Sequence, residues 1–272
     1  MHPDLFSIGF LKIKTYGCCM ALGFFAAWQV VGWLCRRTGR NADTLGNLLL
    51  SLMAAGVVGA RAAYVIEHWN SEFAAHPFDV VRVDQGGLMF YGGLILAVAV
   101  FFAWCFVKKE KVLELADLLV TVIPLGHAFG RIGCFFYGCC YGKLSDSAVA
   151  VSFPRQSPAW YEQLNAGLIQ SSARESLAVL PTQLFEAAAL LVLFAIMLAV
   201  FRWTYSKAEG RWRSGVPTGC YFIGYAVVRF CLEYLRGDPR AAVGPLSISQ
   251  TISLALAAFG GVLVFLGRRK TS

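Results

Sequence analysis

The chain has 272 residues, 57% of them hydrophobic and 15% charged, with a net charge of +8 and a mean hydropathy of +0.59. A soluble globular domain of this length does not carry so apolar a composition, so the chain reads as a polytopic membrane protein, integral to a lipid bilayer. Basic loop ends facing anionic lipid headgroups account for the positive charge, and no nucleic-acid partner is implied.

Seven apolar segments follow in chain order, at about 16–35, 45–66, 87–107, 112–136, 183–201, 216–235 and 247–266. Each is close to the ~20 residues that cross hydrocarbon as a helix. Polar residues interrupt the fourth and sixth. The expected fold is all-α, a membrane helix bundle of about seven spans forming one domain over 1–272. The first span is followed by Arg36 and Arg37, the flank of a retained helix rather than a cleaved leader. The longest polar excursion, about 143–181, predicts a small external arm or cap, with Trp160 and Tyr161 as interfacial anchors.

Lys and Arg set the orientation. Arg36, Arg37 and Arg40, then Lys108, Lys109 and Lys111, then Arg202, Lys207, Arg211 and Arg213, and finally Arg268, Arg269 and Lys270 fall on alternate connections, which predicts N-out and C-in. The connection 67–86 instead carries Glu67, Glu72, Asp79 and Asp84 against Arg82, as an external loop does.

Charge at membrane depth is costly and marks function. Arg61 falls late in the second span, Arg131 late in the fourth, and Arg229 with Glu233 one turn apart in the sixth, followed by Arg236. All lie toward the external leaflet in the predicted orientation. Guanidinium groups pair bidentately with phosphate, so this set suits a phospholipid headgroup. The alternative is internal pairing, Arg229 with Glu233 and Arg61 with Glu67 or another carboxylate; Glu186 could orient an arginine or face interfacial water.

His127 precedes Arg131 by four residues, which puts the two side chains on one helix face and favours a neutral imidazole able to accept a proton. It reads either as a base or as a satisfied structural histidine. Tyr16 and Tyr91 stand at span ends, where tyrosine serves as anchor or as site residue. None of the nine cysteines forms a C-x-x-C pair, and Cys18, Cys19, Cys35, Cys105, Cys220 and Cys231 read as small hydrophobes. Cys134, Cys139 and Cys140 follow His127 as H-x6-C-x4-C-C. That spacing matches no finger or ribbon, and adjacent cysteines rarely share one tetrahedral zinc, so no metal is assigned. Metalloprotease and serine-hydrolase motifs are lacking, and the seventh span has no lysine for a retinal Schiff base. A transporter or receptor remains the alternative by topology alone.

Several motifs, in order, resemble the bacterial prolipoprotein diacylglyceryl transferase family: Phe6 to Gly9 with Tyr16-Gly17, Gly59-Ala-Arg61 with Tyr64, Asp84 to Gly87 through Tyr91-Gly-Gly93, and Gly130-Arg-Ile-Gly133 through Gly138 and Gly142. Pro181 to Glu186 and Gly224-Tyr225 through Arg229, Glu233 and Arg236 complete the likeness, which runs almost end to end. It implies a multi-pass protein of the bacterial cytoplasmic (inner) membrane that moves the diacylglyceryl group of phosphatidylglycerol to a lipobox cysteine thiol. The cysteine belongs to the signal peptide of a preprolipoprotein, and glycerol 1-phosphate leaves. The resemblance implies no metal or nucleotide cofactor.

It also implies catalytic roles for Arg131 and Arg229, to which His127 and Tyr91 are added here as candidates. Substrate contacts are expected from Tyr16, Arg61, Cys134, Gly142, Tyr225, Glu233 and Arg236. The chain departs from the family pattern where the catalytic histidine stands as Tyr91, the signature asparagine as Cys134, the following glutamate as Cys139 and a histidine before Pro181 as Leu180. An ordinary tyrosine, with a pKa near 10, is a poor base at neutral pH. The expectation is therefore that His127 accepts the proton and Tyr91 only hydrogen-bonds. The alternatives are a relative that uses a different acceptor and a non-catalytic lipid or lipoprotein binder.

Overall fold

The computed structural model describes residues 4–8, 11–83, 86–206, 211–237 and 242–269. Gly9, Asp84 and Gln85 of the family motifs, and Lys207 and Lys270 of the basic loops, lie outside the described residues.

Seven long helices carry the fold: α1 (Thr15–Thr38), α2 (Ala42–Glu67), α3 (Phe90–Lys108), α4 (Val112–Tyr137), α6 (Thr182–Thr204), α7 (Val216–Glu233) and α8 (Ile248–Arg269). Each coincides with one predicted span. A short α5 (Pro158–Asn165) lies in the polar insertion. Six of the seven are long and apolar enough to cross a membrane; α7, 18 residues ending in Arg229 and Glu233, is not among them. Its polar groups face neighbouring helices, since α7 packs against both α6 and α8.

Three two-stranded antiparallel ribbons, unforeseen from the sequence, join this helical framework: β1 (Asp4–Ile8) with β2 (Leu11–Lys14), β3 (Tyr205–Ser206) with β4 (Arg211–Trp212), and β5 (Ala242–Val243) with β6 (Leu246–Ser247).

The chain forms two compact units, residues 1–30 with 116–272, and residues 31–115. In the smaller unit α2 packs on α3. Asn41 caps α2 by accepting from Asp43 N at 2.8 Å and Thr44 N at 3.1 Å. At the same end Arg40 bridges Glu110 and Glu114 at 2.9 and 2.8 Å.

In the larger unit, Val120, Ala128, Leu190, Leu193, Met197 and Tyr221 form a buried cluster shared by α4, α6 and α7. Between α7 and α8 the backbones meet at Gly219 and Gly260, where an added β-carbon on Gly219 would lie 2.5 Å from Gly260 O. Such close approach is how membrane helices gain dispersion energy without a hydrophobic drive. Buried Asp117 of α4 accepts from Gly215 N at 2.7 Å, Thr218 N at 2.9 Å, Thr218 Oγ1 at 2.6 Å and Tyr205 Oη at 2.6 Å, so it caps the start of α7. Ser247 and Gln250 exchange hydrogen bonds as a capping box at the start of α8. The polar insertion has its own small core of Tyr141, Phe153, Ala159 and Val179.

Candidate active site

The site is built at one end of α4. One helical turn apart, Arg131 Nε donates to His127 Nε2 at 3.3 Å. A ring nitrogen that accepts this bond is unprotonated, so the imidazole carries its proton on Nδ1. The other edge of the guanidinium, Arg131 Nη2, lies 3.0 Å from Glu186 Oε1, and His127 Nε2 lies 3.8 Å from the same oxygen. Glu186 is 1% exposed, so its charge is held by these cationic and polar neighbours rather than by water.

Its helix is anchored just before it. Thr182 Oγ1 donates to Cys140 O at 3.0 Å and Gln183 Nε2 to Cys139 O at 2.7 Å, which pins the start of α6 to the loop that leaves α4. That loop turns tightly: Gly142 N donates to Leu180 O at 2.8 Å and Gly142 pairs with Arg236 in an antiparallel bridge. A β-carbon at Gly142 would lie 2.7 Å from Leu180 Cβ, Leu235 O and Thr182 Cγ2, so no larger residue fits.

From α7, buried Arg229 directs Nη2 to Glu233 Oε2 at 2.6 Å and to Ser249 Oγ of α8 at 3.1 Å. Its Nη1 is buried with no hydrogen-bond partner, as is Glu233 Oε1. Tyr225, one turn before Arg229, places its ring 5.6 Å from the His127 imidazole, centroid to centroid. A buried donor without an acceptor costs about 1 to 3 kcal/mol, which an anionic ligand on Arg229 Nη1 would recover.

The prolipoprotein diacylglyceryl transferase family profile matches residues 3–266. The chain belongs to this family. It is 34% identical to the phosphatidylglycerol–prolipoprotein diacylglyceryl transferase 2 of Clostridium perfringens (strain 13 / Type A), over 94% of this chain and 91% of that protein. It is 34% identical to the phosphatidylglycerol–prolipoprotein diacylglyceryl transferase of Clostridium tetani (strain Massachusetts / E88), with 93% of each chain covered. Against the enzyme of that name from Pseudoalteromonas translucida (strain TAC 125), identity is 32% over 100% of this chain and 95% of that protein.

In this diacylglyceryl transferase family member the remaining expected site residues divide between the two units: Tyr16 and Cys134 in the larger, Arg61 and Tyr91 in the smaller. Tyr16, at the start of α1, lays its ring on Gly133, where a β-carbon would come within 2.9 Å of Tyr16 Cδ2. Cys134 lies in the last turn of α4, three residues beyond Arg131. Arg61 belongs to the smaller unit, and its partners are backbone carbonyls: Nε to Val80 O, Nη1 to Gly86 O and Gly87 O, and Nη2 to Asp79 O, at 2.6 to 3.1 Å. Among the described residues its hydrogen-bond acceptors include no carboxylate. Tyr91, in the first turn of α3, is 65% exposed, with its ring edge-on to Phe90. Thr182, Gln183 and Ser249 were missed from the sequence; the first two sit inside the Pro181 to Glu186 motif, and that position was their only signal.

Proposed function

We propose that this protein transfers the diacylglyceryl group of phosphatidylglycerol to the thiol of a lipobox cysteine in a preprolipoprotein signal peptide, in the bacterial cytoplasmic membrane with the N-terminus outside. The observation that carries the reading is Arg229 Nη1, a guanidinium donor buried without an acceptor one turn beyond Tyr225, whose ring lies against His127 of α4. The headgroup phosphate takes that donor and one edge of Arg131. Family membership supplies the reaction class.

The reaction breaks the bond between the terminal glyceryl carbon of the diacylglycerol and its phosphate oxygen, and forms a carbon–sulfur bond. Glycerol 1-phosphate leaves with the electron pair. The guanidinium groups stabilise the charge that grows on the departing phosphate, usually the largest single contribution to such catalysis. The thiolate is the nucleophile, so a base must take the thiol proton. His127 Nε2 is that base, and its lone pair is masked by the hydrogen bond from Arg131 Nε. When phosphate draws Arg131 away, the lone pair is exposed, and Glu186, 3.8 Å off, steadies the imidazolium that forms. Substrate binding and base activation are thereby one event. To Arg61 we assign a supporting role, through the carbonyls of Asp79, Val80, Gly86 and Gly87 that it binds.

The test uses purified protein in phosphatidylglycerol vesicles with a lipobox peptide. Mass spectrometry should find the diacylglyceryl thioether peptide with matching glycerol 1-phosphate, and neither product when phosphatidylglycerol is replaced by phosphatidylcholine. Folded protein that yields no thioether contradicts this reading and favours another acceptor or a binding role.

A further inference from the structure

Cys134, Cys139 and Cys140 bring their three sulfur atoms within 4.8 Å of one another, and all three are free thiols, partly exposed. Adjacent cysteines normally point apart along the chain. Here the backbone turns at Gly138 with φ +83° and at Cys140 with φ +62°, a left-handed conformation that a non-glycine residue seldom adopts. The hydrogen bonds from Thr182 Oγ1 to Cys140 O and Gln183 Nε2 to Cys139 O hold that turn in place. Arg236, bridged through its backbone to Gly142 two residues beyond Cys140, brings a cationic residue beside the turn. Arg131, three residues before Cys134 on α4, adds a second positive charge at the same end of that helix.

We infer that Cys134, Cys139 and Cys140 form a three-coordinate site for a soft, thiophilic cation, copper(I) being the ion that fits it best. Three sulfurs around one ion at the ~2.3 Å bond length of a metal thiolate stand about 4 Å apart, so closing the site takes less than an ångström. No fourth His, Cys, Asp or Glu joins the group among the described residues, which disfavours tetrahedral zinc and suits a trigonal copper(I) thiolate. Arg131 and Arg236 offset the negative charge that three thiolates gather. Binding breaks three S–H bonds, forms three Cu–S bonds and releases three protons to solvent, with no change in oxidation state. Neither family membership nor the proposed transfer reaction is needed for this site.

The test is copper(I) stoichiometry and affinity by competition with a colorimetric copper(I) chelator, on full-length protein kept reduced in detergent. Wild type and Cys231→Ser, whose cysteine is exposed on α7, should each hold one copper per chain. Cys134→Ser, Cys139→Ser and Cys140→Ser should each weaken binding by more than about 100-fold, beyond what loss of a supporting residue costs a metal site. Size-exclusion profiles matching wild type confirm that a variant is folded, and any one folded variant of the three suffices. Sub-stoichiometric copper in wild type, copper binding unchanged in a folded variant, or a disulfide among the three cysteines that persists under reduction would each overturn the inference.

Discussion

Arg131 and His127 share a hydrogen bond in which the arginine Nε donates to the imidazole Nε2 at 3.3 Å, while Nη2 of the same guanidinium faces Glu186 at 3.0 Å. One arginine therefore covers the lone pair of a histidine and neutralises a buried glutamate. An incoming phosphate competes for that guanidinium and changes the state of both partners.

Removing the guanidinium should abolish most of the transfer. Arg131→Ala is expected to lower kcat/KM for phosphatidylglycerol by about 100- to 1000-fold, the scale for losing one group that stabilises transition-state charge. Steady-state product formation in vesicles of varied phosphatidylglycerol content measures this directly; a loss of less than tenfold would contradict the role.

Glu186→Gln keeps the shape of the side chain and removes its charge. Freed from its partner, Arg131 should bind phosphate at least as well, so KM for the lipid stays level or falls. Without a carboxylate beside the imidazolium kcat should drop by a fraction of the ~100-fold or more that a general base contributes. A rise in KM with unchanged kcat would show instead that Glu186 serves lipid binding.

Arg61→Ala should act on stability. Arg61 is 8% exposed and holds the carbonyls of Asp79, Val80, Gly86 and Gly87, so its loss strands buried acceptors. A cost on the order of 3 kcal/mol is expected, read as a lower Tm in detergent. An unchanged Tm with weakened phosphatidylglycerol binding would return Arg61 to the headgroup.

Asp117→Ala should destabilise the larger unit, because the N–H groups of Gly215 and Thr218 lose their common acceptor at the buried start of α7. Each unsatisfied donor costs about 1 to 3 kcal/mol, and the fall in Tm should exceed that of an apolar surface substitution such as Val227→Ala. Equal Tm values for the two variants would contradict the capping role.

The helices were legible because each is a largely apolar run close to membrane length, even where polar residues interrupt the fourth and sixth, and the ends agree to within a few residues. The pairing of His127 with Arg131 was legible as well, since a spacing of four residues fixes the helix face. What the sequence did not disclose depends on tertiary closure. Asp117 is one of two acids near the start of an apolar span, and its partners Gly215 and Thr218 lie 98 and 101 residues away. Thr182 and Gln183 reach carbonyls 42 and 44 residues back, which no local pattern encodes. For Arg61 the sequence offered phosphate or carboxylate; the backbone carbonyls of Asp79, Val80, Gly86 and Gly87 come within its reach only through tertiary folding. The clustering of Cys139 with Cys140 likewise depends on a left-handed turn that spacing alone does not announce.

The most direct test is the turnover of His127→Ala with a lipobox peptide in phosphatidylglycerol vesicles. The account predicts that kcat falls by about 100-fold or more, the contribution of a positioned general base, while Arg131 and Arg229 still bind the lipid. Undiminished turnover would contradict it and place the proton acceptor elsewhere, with Tyr91 the first position to examine.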